Sequence, residues 1–369
     1  MMTRIVIGIV IIAGLGALLF FVMGYAAYHE SAFTSTSTYD QKVISFSTSP
    51  SPEPLPFVTK PKEVKAIYVT AWVALTPSRL EKLLALARET DINAFVINYK
   101  DGEQTYNTQK MRQVLWKVRQ QGIYPIARLV AFQDTELAKK NPTVALKNKD
   151  GSLWLDKKYY WVDPANQHVL ESNIQAGIDA IDLGFEEVNF DYFRFPSDTS
   201  LESVVYPTYT TSTLKEDVIR NAARTIVGGI KRARPHAVVS VDVFGYILLS
   251  DNDQGIGQRI IKFGPEFDII APMIYPSHYK TGNFGYKNPA EYPYDVMFQT
   301  LKKGLELFVA ASTTVAIRPW IQAFDMGALY TPTMVQKQMR AIKDIGLSEG
   351  WFAWNAANNY EKEAYQMTP

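Results

Sequence analysis

From Val64 onward the chain switches repeatedly between two hydrophobic periods. Short apolar runs rich in β-branched and aromatic residues read as strands. They are VKAIYVTAW (64–72), AFVINYKD (94–101), YPIARLVAF (124–132), EVNFDYFRF (187–195), VVSVDVFG (238–245), FDIIAPMIYP (267–276), TVAIRPWIQAF (314–324) and EGWFAWNAA (349–357). Helical spacing fills 78–90, 109–122, 166–183, 214–235, 294–311 and 333–345, and a longer excursion at 133–165 carries Trp154, Trp161 and a WVDP stop. Strands alternating with helices predict right-handed βαβ units and a parallel sheet. Eight such strands predict a closed α/β fold, the (β/α)₈ TIM barrel. An open doubly wound sheet is the competing architecture, but no Gly-x-Gly-x-x-Gly turn follows any strand. No internal repeat is visible.

The first 62 residues follow other rules. Residues 5–28 (IVIGIVIIAGLGALLFFVMGYAAY) carry no charge. At ~1.5 Å per residue they span about 36 Å, enough for a bilayer. Residues 1–30 are therefore expected to be a membrane anchor or an uncleaved signal, with Gly24-Tyr25-Ala26 as the alternative cleavage point. Arg4 precedes the segment, and Glu30 and Asp40 follow it. That asymmetry predicts a cytoplasmic N-terminus and an extracytoplasmic remainder, secreted if the segment is cut. Residues 31–62 are rich in Ser, Thr and Pro and read as an extended, disordered linker. The folded domain is expected over 63–369.

In a barrel, alternate strand residues point inward and chemistry gathers at the C-terminal strand ends. The fourth strand then directs Asn189, Asp191 and Phe193 to one side, and the fifth Ser240, Asp242 and Phe244. The second offers Asn98 and Lys100, the sixth Met273 and Tyr275, the seventh Arg318, Trp320 and Gln322, the eighth Ala353 and Asn355. Burying charges is unfavourable, and a barrel built for stability alone fills these places with Val, Ile and Leu. Asp191 and Asp242 lie on neighbouring strands, roughly 4.8 Å apart. They form the natural carboxylate pair for glycoside hydrolysis. Asp191 is assigned as nucleophile or stabiliser and Asp242 as general acid/base, with the reverse left open. Arg194 or Lys100 is the expected counter-cation, Arg194 only if Pro196 ends regular strand geometry. Asp101, Glu103, Asp134 and Asp325 remain alternatives for the second role.

Composition narrows the chemistry. The net charge is +1, which gives no electrostatic case for nucleic acid. The chain has no cysteine, so disulfides and thiolate sites are excluded. Its four histidines, His29, His168, His236 and His278, are not spaced as metal ligands, so no metal and no cofactor is expected. Aromatics make up 13% of the chain, with 21 Tyr and 7 Trp, a supply suited to stacking on sugar rings. Tyr275 and His278 are candidates to bind substrate hydroxyls, and Trp320 or Trp354 to stack on a sugar face.

The segments IYVTAW, VINYKD, ARLVAF, WVDP, VNFDYFRFPSD, VDVFG, PMIYPSHY, RPWIQAF and GWFAWNAANNY occur in this order. As a set they resemble the bacterial putative glycosyl hydrolase barrel family, which is related to α-amylase-like glycosidase barrels. The resemblance covers 64–360. It implies a TIM-type barrel, often behind a signal or anchor, with carbohydrate as substrate. The matching positions here are Lys100, Asp101, Asp191, Tyr192, Arg194, Asp242, Tyr275, Ser277, His278, Arg318, Trp320, Gln322, Trp354 and Asn355. In one place the chain departs: the family reads Val-Ile-Asp-Val-Lys-Asp, and this chain has Asn98 at the first carboxylate. The expectation is a membrane-anchored, extracytoplasmic glycoside hydrolase acting on a cell-wall or exopolysaccharide glycan. The rival is a non-catalytic glycan-binding barrel.

Overall fold

The computed structural model describes residues 54–106, 108–197 and 201–366. The apolar segment 5–28 and the linker as far as residue 53 lie outside the described residues. Among the described residues no helix is long and apolar enough to cross a membrane.

Eight parallel strands close on themselves. They are β1 (Val64–Val69), β2 (Ala94–Lys100), β3 (Tyr124–Val130), β4 (Glu187–Asp191), β5 (Val238–Phe244), β6 (Ile269–Met273), β7 in two pieces (Ala316–Ile317 and Trp320–Gln322), and β8 (Gly350–Trp354). Each pairs with its sequence neighbours, and β8 pairs with β1 from Val64↔Gly350 to Ile67↔Ala353. The break in β7 falls at Arg318-Pro319, where proline has no N–H for a ladder. Trp320 resumes the pairing against Met273 of β6. Closure between β8 and β1 depends on Gly350. Its φ is +84°, and a Cβ there would lie 2.1 Å from the Val64 carbonyl oxygen.

The outer helices are α1 (Pro77–Arg88), α2 (Thr108–Gln120), α3 (Gln167–Leu183), α4 (Lys215–Ala233), α5 (Pro293–Ala310) and α6 (Pro332–Asp344). Helix α4 shows why the spacing is legible. Val218, Ile219, Ala222, Ala223, Ile226, Val227 and Ile230 form its buried stripe. Glu216 and Asp217 sit in its first turn and Lys231 and Arg232 in its last, matching the helix dipole. The β5–β6 crossover carries one short α-helix, Ile260–Phe263, and the 3₁₀ turns Gly245–Leu248 and Gly264–Glu266. The 133–165 excursion holds the short helix Thr135–Lys140 and a hairpin of Leu155–Asp156 with Tyr159–Tyr160.

Two apolar shells result. The larger lies between strands and helices and includes Val188, Phe190, Val241 and Val243. The smaller fills the barrel with Val64, Ala66, Tyr68, Val96, Ile126, Ala271, Trp320 and Phe352, and Trp354 packs against it. Strand β8 therefore points Phe352 and Trp354 inward and Ala353 outward, the reverse of the sequence reading. No polar residue marks that strand, so its register had nothing to fix it.

The last residues of the expected linker belong to the fold. Val58 is buried in the inner shell. Leu55 packs against the outer shell beside Gly184, the Pro56 carbonyl accepts from Arg119 Nε (2.5 Å), and Lys60 pairs with Glu349 (2.7 Å). All these contacts sit at the N-terminal, bottom end of the strands. The far end of the described chain is there too: the Tyr365 carbonyl accepts from the Asp91 N–H just before β2 (3.2 Å).

Candidate active site

The site begins where β3, β4 and β5 end. The β4–β5 register pairs Asn189 with Ser240 and Phe190 with Val241, so Asp191 and Asp242 occupy the next adjacent places. Both are inward and buried. Their surroundings differ.

Asp191 faces a guanidinium. Arg128 of β3 binds Asp191 Oδ2 through Nε (3.1 Å) and through Nη2. Burial works against the charge on Arg128, but the attraction of Asp191, Tyr68 and Asp242 outweighs it and raises the Arg128 pKa. The other Arg128 nitrogen, Nη1, donates to Asn98 Oδ1 (2.7 Å). Asn98 thus meets the guanidinium as a neutral acceptor. The fixed charge of Arg128 is left to Asp191. The remaining oxygen, Oδ1, accepts from the N–H of Tyr192 (2.6 Å). Tyr192 reaches that position with φ +53°, a left-handed conformation unfavourable for a bulky residue.

Among the described residues no cation is in hydrogen-bond contact with Asp242. Its Oδ1 accepts from the Trp320 indole N–H (2.6 Å) and from Asn189 Nδ2 (3.0 Å). Burial first, and then the neighbouring Asp191 charge, push its pKa well above the usual carboxylate range. The Trp320 bond, Arg128 and the Asn189 bond oppose the shift. Burial and the neighbouring charge thus favour the protonated form of Asp242, beside an Asp191 that faces a cation, two carboxyl groups set in contrasting surroundings.

Tyr275, just past β6, stands over this pair. Burial and then the two carboxyls raise its pKa, so it remains a phenol. Its ring lies 5.6 Å from Phe324 and 5.3 Å from His278. His278 is on the rim, with Nδ1 3.2 Å from Ser277 Oγ, and burial lowers its pKa. On the opposite side Trp354 stacks on Tyr68 with centroids 4.0 Å apart, and Arg128 lies within 6 Å of both rings (5.8 and 5.9 Å).

Other expected site residues have different roles. Lys100 does not face Asp191: a register shift between Asn98 and Lys100 turns it to Asp134 (2.5 Å) and the Val130 carbonyl (2.9 Å). Asp101 closes the turn after β2, accepting from the N–H groups of Glu103 (2.9 Å) and Gln104 (3.0 Å) and from the Tyr106 hydroxyl. Arg194 is no counter-cation in contact with Asp191. Regular geometry ends at Tyr192, before Pro196, and its guanidinium lies 5.1 Å from the Trp161 ring centre and 4.7 Å from that of Phe244. Trp320 is 1% exposed and committed to Asp242 by its N–H, so no face of it is open to a sugar. Gln322 is fully buried, joining the Ser277 N–H (3.1 Å) to the Phe324 carbonyl (2.9 Å). Asn355 lies beyond β8 and donates to the carbonyls of Ala323 (2.6 Å) and Asn359 (2.8 Å).

Sequence reasoning missed Arg128 and Tyr68. Arg128 stands in an otherwise apolar strand on the inward parity, the same signal that singled out Asp191. Below the pair, Glu187 and Arg318 form a fully buried ion pair (2.8 and 3.0 Å). Among the described residues no group of three or more His, Asp or Glu is placed to hold a metal ion.

The putative glycosyl hydrolase domain family matches residues 66–360. Among solved structures, the β-galactosidase from Rahnella sp. R3 superposes with a TM-score of 0.56 at 12% identity, covering 83% of this chain and 52% of that one. The α-galactosidase from Thermus thermophilus, solved with stachyose, gives 0.51 at 13% identity, covering 85% and 64%. Eubacterium rectale Amy13B gives 0.52 at 8% identity, covering 81% and 67%. At these identities the likeness is one of fold. The chain spans 52% and 64% of the length of the two galactosidases. No curated protein matches it.

Proposed function

Since the chain belongs to the putative glycosyl hydrolase domain family, we propose that it is a glycoside hydrolase with Asp191 and Asp242 as its catalytic pair. The carrying observation is their contrast: Asp191 against the Arg128 guanidinium, and Asp242 buried beside it with its pKa raised. In this reading Asp242 gives its proton to the glycosidic oxygen as the C–O bond breaks, and the bonding electrons leave with the departing sugar. Asp191 attacks the anomeric carbon or shields its positive charge. Asp242, now a carboxylate, takes a proton from the water that completes hydrolysis, so no proton is gained or lost overall. Carboxyl groups on adjacent strands, whose backbones lie about 4.8 Å apart, can reach the roughly 5–5.5 Å of retaining enzymes or sit further apart as in inverting ones, so the stereochemistry is read from the anomer released.

The substrate side rests on Tyr275 and His278 as hydroxyl partners and on the Trp354–Tyr68 stack as an apolar wall. The apolar run 5–28 supports an anchored, extracytoplasmic enzyme, and hence a cell-wall or exopolysaccharide glycan as substrate.

The test is incubation of the full chain and its Asp191→Asn variant with a panel of bacterial glycans, followed by reducing ends and product masses. Oligosaccharides released by the unaltered protein alone support the reading, and the anomer first formed reports retention. Tight binding of one glycan by both proteins, with no release by either, would replace it with a binding barrel.

A further inference from the structure

A line of buried hydrogen bonds runs up the barrel axis to Asp242. It begins at the bottom, where Arg318 Nη1 holds both oxygens of Glu187. Ser240 Oγ donates to Glu187 Oε1 (2.7 Å). A hydroxyl has one proton, so the Ser240 oxygen is left only to accept. Its neighbour is Asn189 Nδ2 at 3.1 Å. The same Nδ2 reaches Asp242 Oδ1 at 3.0 Å. Each link fixes the direction of the next. An arginine cannot accept, so Glu187 must; Ser240 then donates downward; and the Asn189 amide must turn its NH₂ toward Ser240 and Asp242. Asn189 Oδ1 is left without a partner among the described residues. The opposite amide orientation would press that oxygen against the Ser240 oxygen, whose one proton already goes to Glu187, and strand both N–H donors instead.

We infer that Arg318, Glu187, Ser240 and Asn189 are positioning residues for the reaction: together with the Trp320 N–H they commit Asp242 Oδ1 to accepting and leave Oδ2 as the only atom that carries the catalytic proton. The inference rests on Asp242 being the acid, and it explains how a carboxyl group with two equivalent oxygens acquires a single proton-bearing one. The other groups facing Asp242 are Asp191 on β4, Arg128 on β3 and Tyr275 after β6. None of them contacts Ser240 or Glu187 by hydrogen bond, so the relay can be perturbed without touching them.

The experiment uses the full chain labelled with ¹⁵N at the tryptophan indoles, with the Trp320 signal assigned by Trp320→Phe. Its N–H resonance is followed against pH. In the unaltered protein it shows a titration step that Asp242→Asn abolishes, and it stays in the hydrogen-bonded range on both sides of the step. A fall to the unbonded position in the protonated limit would put the proton on Oδ1 and overturn the inference; this result needs no variant of the relay to fold. Ser240→Ala releases the amide, so the carboxylate loses a donor and the step moves up by roughly half to one pH unit. Ser240→Thr keeps the hydroxyl and restores the original position. A Ser240→Ala protein with an unshifted step and only a lower Tm would make the line merely structural. No glycan is needed, so failure here is separable from failure of the hydrolase reading, which only the glycan panel reports.

Discussion

Replacing Asp242 by Asn should make the barrel more stable, and increasingly so as pH rises. The substitution keeps the shape, and the Asn oxygen can still accept from Trp320 and Asn189. It removes the obligation either to bind a proton or to bury a charge. In the unfolded chain an aspartyl group titrates near pH ~3.9, and in the folded barrel Asp242 titrates well above that. Between the two values the native state holds a proton that the unfolded state has lost. A raised pKa contributes stability that is complete below the unfolded value and is lost as pH climbs through the folded one. The unaltered protein therefore loses about 1.4 kcal/mol per pH unit across that window relative to Asp242→Asn. For a domain of this size that is roughly 2–4 °C of Tm per pH unit. The assay is thermal unfolding of both full chains from pH 4 to pH 8 at constant ionic strength. The Tm difference should start small at pH 4 and widen in favour of the variant until the folded pKa is passed. A difference flat with pH, or an unaltered protein that is the more stable at pH 8, would refute the reasoning, because Asp242 would then be ionised and compensated in the fold.

Arg128→Met should destabilise the barrel by about 3–5 kcal/mol, since Asp191 would lose its buried partner; denaturant midpoints at pH 7 would show it, and Asp191→Asn in the same chain should recover part of the loss. Gly350→Ala forces a Cβ against the Val64 carbonyl at positive φ, with an expected loss of roughly 3 kcal/mol in the same measurement. Trp354→Ala removes one ring of the stack on Tyr68 and should raise KM on the preferred glycan several-fold while changing kcat little; a fall in kcat alone would place Trp354 elsewhere in the reaction.

Strand order, helix faces and the inward parity of β4 and β5 were legible because buried strands and half-buried helices leave different periods, and because Asp191, Asn189, Ser240 and Asp242 are polar where stability alone favours Val or Ile. Arg128 carried the same signal and was overlooked among its apolar neighbours. The misplaced residues share a cause: local backbone departures that no period records. The register shift at Asn98–Lys100 swings Lys100 to Asp134. The left-handed Tyr192 ends β4 earlier than Pro196 would. On β8, Asn355 looked like an inward polar residue but lies past the strand, where it ties a turn.

The two ends of the described chain meet the barrel at its bottom, through Leu55, Pro56 and Lys60 on one side and Tyr365 on the other. The carboxyl pair sits at the other end of the axis. Modularity follows from that polarity. A fusion partner or affinity tag joined at residue 54 or residue 366 attaches to the face where no chemistry happens, and the loops that shape the mouth stay covalently independent of it. Those loops can be exchanged to retune what the barrel accepts, and the attachments can be exchanged to choose where it works, each without redesigning the other.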